Sequence, residues 1–324
     1  MSSKFNSIIK HAFKLTVTVG VIYWIIHNYG WNNIKHSVLD ADIKFLLLGF
    51  FMFIVSIFFG AVQWHIILKN RGIEIPFSKA LKIYFTGIFF NNFILGMIAG
   101  DGYKVAALHI NHDKGKGGFA ATFIERLAGL VVLSLFAIIG GAIIFATNIQ
   151  QNKDMIPVLG VLSIFIAIFF GFFLILLSKT LQNFVKLIFS KLPNFPKKEL
   201  LENLMDVTFL NRENRDDILM IMKVGVISTV IQSLRIGVNI SAAAAIGIFS
   251  FSLLHYFFVI IPVIALMMII PMPFGVRETA GGILFGMAGF SKADSVVMLF
   301  LATIVSVAAS LAGGIFFLLD KKKN

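Results

Sequence analysis

The sequence contains no cysteine. Disulfides, thiolate metal sites and thiol nucleophiles are therefore all excluded. Its seven histidines do not fall into metal-ligand spacing, because His109 and His112 lie three residues apart without a third ligand near them. No His-Glu-x-x-His motif and no Ser-His-Asp order marks a catalytic residue. We therefore expect no metal, no cofactor and no catalytic residue, and interpret these histidines as interfacial polar residues.

Charged residues are also scarce, at 14% of the chain against 58% hydrophobic residues. Soluble domains average about 25% charged and roughly 45–50% apolar residues. Several apolar runs reach the ~20 residues that a membrane-spanning helix requires. The composition predicts an all-α polytopic membrane protein, with one integral membrane domain over 1–324.

The formal net charge is +12. The basic residues lie next to hydrophobic runs, which favours the positive-inside rule and anionic lipid headgroups over nucleic acid. We therefore expect lipids with anionic headgroups as partners and no nucleic acid. Lys4, Lys10 and Lys14 precede the first apolar run, and no small-residue cleavage site follows it. This run is predicted to be an uncleaved first helix with a cytoplasmic N-terminus.

Six segments are predicted to be full spans: 13–30, 43–67, 119–147, 156–178, 219–249 and 296–319. The basic segment 179–218 then lies in the cytoplasm, and so does the C-terminus after Lys321, Lys322 and Lys323. Segment 179–218 is too short for a catalytic domain of the usual ~100 residues. We expect no separate soluble catalytic domain, and the cell membrane as the location.

Two further apolar stretches, 81–99 and 252–290, are interrupted. Both flanks of the first are basic, which predicts a re-entrant hairpin with Asn91 and Asn92 near its tip; a full crossing against the charge rule is the alternative. The distribution of basic residues predicts that the second stretch is a hairpin that enters from the opposite face of the membrane. Its turn is predicted at Pro271, Pro273 and Gly275. Oppositely oriented broken hairpins are typical of inverted repeats with a substrate site near the midplane.

Asp101 and Lys104 follow the first hairpin, and Glu125 and Arg126 lie early in the next predicted span. An isolated charge costs roughly 2.5–3.5 kcal/mol at the centre of a membrane helix, so charged groups there mark a site or pair with each other. In one interpretation, Asp101 and Arg126 neutralise each other and hold the hairpin against the next helix. In the other, Arg126 and Lys104 hold a phosphate while Asp101 and Glu125 orient them.

Arg277 and Glu278 repeat the pattern after the second hairpin. Adjacent helical residues point about 100° apart, so each is expected to find a partner elsewhere in the protein, or a ligand. The N-termini of helices that begin near Gly102 and Thr279 would direct positive dipoles toward an anion.

A polar stripe lies on the predicted span 219–249. Ser228, Gln232, Arg235 and Asn239 follow steps of four, three and four residues, which places them on one helix face. Such a stripe either bonds neighbouring helices together or lines a hydrophilic groove.

These residues give the chain a family resemblance over about 85–315. It resembles the lysylphosphatidylglycerol synthase transmembrane-region family, also called flippase-like membrane proteins. The matching positions are Asn91, Asn92, Gly100, Asp101 and Lys104, then Glu125, Arg126 and Gly129, and finally Pro271, Gly275, Arg277 and Glu278. Departures from the family pattern are Ala99 for glycine, Lys104 for the commoner arginine, and Met272-Pro273 for small residues.

The resemblance implies movement of lipid headgroups across the bilayer. Some members also carry an aminoacyl-transferase domain, which we do not find here, so lysyl transfer by this chain alone is not expected. The main hypothesis is a flippase-like protein that binds or translocates an anionic headgroup in a polar intramembrane groove. The alternatives are an integral-membrane enzyme acting on lipid-linked sugar or phospholipid, and an accessory scaffold for a synthase or glycosyltransferase.

Overall fold

The computed structural model describes residues 39–92, 97–112, 115–148, 155–190, 214–267 and 275–321. These residues form helices and short connections, with no β-strand among them, which confirms the predicted all-α fold. The helices are α1 (Ile43–Asn70), α2 (Phe77–Phe90), α3 (Met97–His112), α4 (Gly115–Asn148), α5 (Ile156–Leu177), α6 (Lys179–Ser190), α7 (Arg215–Ala245), α8 (Leu254–Met267), α9 (Val276–Met287) and α10 (Lys292–Lys321).

Within these ranges, five helices are long and apolar enough to cross a membrane: α1, α4, α5, α7 and α10. They coincide with five of the six predicted spans, and the sixth, 13–30, lies outside the described residues. Polar residues begin two of them. The carboxylate of Asp42 accepts the Lys44 N–H at 2.8 Å before α1, and Ser291 accepts the Asp294 N–H at 3.4 Å before α10. Such side chains satisfy N–H groups that have no partner within the helix.

The second interrupted stretch, 252–290, contains the pair of shorter helices α8 and α9. The first, 81–99, contains most of α2 but only the first three residues of α3, which continues to His112, so the predicted end of the first hairpin was too early. Helices α2 and α3 have 14 and 16 residues and contact each other, as do α8 and α9. Asn91 and Asn92 directly follow α2. Pro271 and Pro273 lie outside the described residues. The pairing agrees with two hairpins, while their re-entrant position in a bilayer stays a prediction.

The chain divides into two compact units. The first unit takes in the described residues of Met1–Phe53, Phe136–Leu159 and Arg235–Ala309. The second takes in those of Ile54–Leu135, Gly160–Leu234 and Ser310–Asn324. The α2–α3 pair belongs to the second unit and the α8–α9 pair to the first.

The predicted basic segment 179–218 contains a helix that charge alone did not indicate. Helix α6 occupies Lys179–Ser190, directly after α5, and α7 begins at Arg215. Residues 191–213 lie outside the described ranges.

Candidate functional site

In the second unit, α2 and α3 approach closely where the predicted site begins. The Gly100 N–H donates a hydrogen bond of 2.8 Å to Oδ1 of Asn91, at the end of α2. A Cβ added to Gly100 would collide with the backbone carbonyl oxygen of Gly87. Only glycine fits there, and its close contact sets the position of Asp101 and Lys104 on the following turn of α3.

Lys104 and Glu125 form a buried ion pair. The Lys104 ammonium lies 2.9 Å from Oε2 of Glu125, and the two side chains are only 1% and 8% exposed. The Tyr84 hydroxyl donates a 2.6 Å hydrogen bond to the other carboxylate oxygen. The ammonium also lies 4.8 Å from the centroid of the Tyr84 ring and 5.9 Å from that of Trp64, which adds cation–π attraction.

Asp101 and Arg126 form a second, more accessible pair. Nε and Nη2 of Arg126 each donate a 2.9 Å hydrogen bond to a different oxygen of the Asp101 carboxylate. This two-bond geometry is the strongest that a guanidinium makes with a carboxylate. The two side chains are 22% and 24% exposed, so this pair faces accessible space while the Lys104–Glu125 pair does not.

The two pairs are connected through Lys104. Its ammonium also lies 3.2 Å from Asp101, one helical turn earlier on α3. Two cations and two carboxylates therefore balance within one cluster, which reduces the cost of placing charge in an apolar setting. The sequence predicted these four residues; the structure brings all four together and pairs Asp101 with Arg126, as the first interpretation proposed.

In the first unit, Arg277 and Glu278 meet at a third residue, Thr303 of α10. The Thr303 hydroxyl lies 2.7 Å from Oε1 of Glu278 and accepts a 3.3 Å hydrogen bond from Nη1 of Arg277. The other Glu278 oxygen accepts the Gly275 N–H at 3.0 Å. Gly275 has φ of +96°, a conformation that favours glycine. Nε of Arg277 has no hydrogen-bond partner among the described residues.

The polar stripe of α7 is largely buried. Ser228, Gln232 and Asn239 are 1%, 6% and 5% exposed, as an inward-facing stripe requires. Ser228 accepts a 2.7 Å hydrogen bond from the Gln63 side chain of α1, in the second unit. Asn239 donates to the Arg235 carbonyl, one turn earlier, at 2.9 Å. Ser228 thus bonds two helices together, while a role for Gln232, Arg235 and Asn239 in a groove stays a prediction.

Three residues of these clusters were not predicted from the sequence. Tyr84 and Trp64 enclose Lys104, and Thr303 connects Arg277 with Glu278. Aromatic or hydroxyl residues recur along each of these helices, so the sequence did not distinguish these three from their neighbours.

The fold and this cluster define a polytopic α-helical membrane protein in which charged residues of the short helix α3 pair with charged residues of α4, a helix long enough to span a membrane. The chain belongs to the family described as the lysylphosphatidylglycerol synthase TM region, whose profile matches residues 11–314.

A curated relative is the UPF0104 membrane protein PH1989 of Pyrococcus horikoshii, 29% identical over 161 residues. The match covers 48% of this chain and 47% of the relative, so the chain matches about half of that protein's length. No solved structure matches the chain.

Proposed function

We propose that this protein binds the anionic headgroup of a phospholipid or lipid-linked molecule and carries it across the bilayer. The observation that carries the proposal is the contrast between the two ion pairs of the second unit. Lys104 and Glu125 are buried, while Asp101 and Arg126 are about a quarter exposed. A buried pair fixes the site, and a partly exposed arginine beside it is available to an incoming anion.

Binding proceeds by exchange of one anion for another on Arg126. Phosphate presents two oxygens to a guanidinium in the same geometry as a carboxylate. A headgroup phosphate can therefore replace Asp101 on Nε and Nη2 of Arg126. Asp101 still has the Lys104 ammonium 3.2 Å away when it leaves. Arg126 therefore has an anionic partner throughout the exchange, which keeps the free-energy cost of the exchange low.

Only the headgroup has to leave water in this scheme, because the hydrocarbon chains stay in lipid. Arg277 of the first unit is a second candidate contact for an anion, since its Nε has no hydrogen-bond partner among the described residues. Gln232, Arg235 and Asn239 are proposed to provide further polar contacts. From the charge asymmetry we infer that both termini face the cytoplasm of the cell membrane.

Reconstitution of the purified protein with labelled lipids tests the function. We expect faster movement of labelled anionic phospholipid between leaflets than in protein-free vesicles, and a smaller effect on a zwitterionic lipid. The Lys116→Gln variant is the matched control, because Lys116 is an exposed cation at the start of α4, and it should move lipid as the parent does. Transfer at the protein-free rate across a range of anionic lipids would contradict the proposal, and covalently altered lipid would indicate an enzyme instead.

A further inference from the structure

Helix α6 starts where a membrane span ends. Helix α5, whose residues Ile156–Ile175 are long and apolar enough to cross a membrane, ends at Leu177. Ser178 alone separates it from α6, and the Ser178 hydroxyl accepts the Leu181 N–H at 3.4 Å. Serine in this position commonly starts a new helix. Helix α6 is therefore a separate helix whose first residue lies two positions beyond the end of α5.

The apolar residues of α6 share one side that the described protein does not cover. At 100° per residue, Leu181, Phe184 and Leu187 fall within a sector of about 120°. They are 40%, 58% and 53% exposed. Lys179 is exposed about 160° from Leu181 and about 140° from Phe184 around the helix. Asn183 is exposed about 160° and about 100° from the same two residues and borders Leu187, about 40° away. Gln182 is only 2% exposed, so one edge of the helix packs against protein while the apolar side points away.

Over its described residues, α6 is too short to cross the bilayer a second time. Twelve residues span about 18 Å as an α-helix, against a hydrocarbon core of about 30 Å. A short helix with one apolar and one basic or polar side is the type that lies in the headgroup region of a bilayer.

We infer that α6 is an interfacial helix that lies in the plane of the bilayer surface where α5 emerges. Leu181, Phe184 and Leu187 enter the boundary between headgroups and hydrocarbon chains. The Lys179 side chain stays among the headgroups. We expect the bilayer to cover this apolar side, because α6 begins two residues after the end of α5, a helix that is long and apolar enough to cross it. This inference does not depend on lipid translocation.

Single-cysteine spin labelling tests the inference, since the chain has no thiol of its own. The variants Leu181→Cys and Phe184→Cys probe the apolar side. Lys179→Cys and Asn183→Cys are matched controls, each at least about 100° away from both probes around the helix. All four positions are exposed, so labelling should not disturb folding. The full chain is placed in nanodiscs of phosphatidylglycerol and phosphatidylcholine, and collisions with oxygen and with a water-soluble nickel chelate are measured.

We expect the ratio of oxygen to nickel accessibility to be several-fold higher at 181 and 184 than at 179 and 183, because oxygen concentrates in hydrocarbon. Equal, high nickel accessibility at all four positions would mean that water surrounds the helix. Protection of 181 and 184 from both reagents would mean that protein covers them, either residues 191–213 or a second copy of the chain. Either result overturns the inference, and neither bears on headgroup transfer.

Discussion

Replacing Glu125 by alanine is expected to lower the free energy of unfolding by about 3–5 kcal/mol, the usual cost of removing one partner from a buried ion pair. Lys104 is 1% exposed, and Asp101 at 3.2 Å would be the one carboxylate left beside its ammonium among the described residues. The Tyr84 hydroxyl would also lose the acceptor that it now contacts at 2.6 Å. Thermal unfolding in detergent micelles, followed by loss of the monodisperse elution peak, measures the effect.

A double variant separates the loss of pairing from a general sensitivity of this position. Lys104→Met with Glu125→Gln removes both charges, keeps an acceptor for Tyr84 and leaves the Asp101–Arg126 pair in place. We expect it to be more stable than Glu125→Ala, though less stable than the parent because the cation–π contacts are gone. The assignment of this pair would be contradicted if Glu125→Ala were as stable as the parent. It would also be contradicted if the double variant were less stable than Glu125→Ala.

The second large effect is expected at Gly100. In Gly100→Ala, the new Cβ would meet the Gly87 carbonyl oxygen and lie 2.5 Å from Oδ1 of Asn91. A backbone atom cannot rotate away, so α2 and α3 have to separate. Forcing extra volume into a packed contact typically costs about 1–3 kcal/mol. Asp101 is the next residue, so its bond to Arg126 should weaken as well.

Gly102→Ala is the matched control for this substitution. It lies on the same helix, two residues away, and an added Cβ would have no atom within 4 Å. Because alanine favours helix over glycine by about 1 kcal/mol, this variant should be as stable as the parent or slightly more stable. Unfolding temperatures in the same micelles compare the two variants. If they are equally stable, the close approach of α2 and α3 is not the constraint described here.

The spans were predictable because their apolar runs are long and continuous. The predicted 43–67 and 156–178 correspond to α1 at Ile43–Asn70 and α5 at Ile156–Leu177. Burial in lipid requires such runs whatever the tertiary arrangement, so composition alone indicates them. Helix α6 was missed because segment 179–218 was interpreted by its charge, although Leu181, Phe184 and Leu187 already carried a helical period.

The residues of the site were predictable, and one of the two interpretations named the Asp101–Arg126 pair, but the Lys104–Glu125 pair was not predicted. Asp101, Lys104, Glu125 and Arg126 stood out as charges among apolar residues. Which carboxylate each cation contacts depends on how α4 is rotated against α3, and adjacent residues such as Glu125 and Arg126 give no sign of that rotation. Thr303 went unnoticed for a related reason, since only the packing of α9 against α10 brings it to Glu278.

Native mass spectrometry of phosphatidylglycerol binding to two variants tests the anion exchange most directly. Arg126→Gln removes the proposed phosphate contact, whereas Asp101→Asn removes the carboxylate that competes with the phosphate. Charge-assisted hydrogen bonds contribute about 1.5–3 kcal/mol, so we expect affinity to fall roughly tenfold or more in Arg126→Gln. Affinity should rise in Asp101→Asn and stay unchanged in Lys116→Gln. Equal loss of binding in both site variants, or parental binding by Arg126→Gln, would contradict a headgroup site at this arginine.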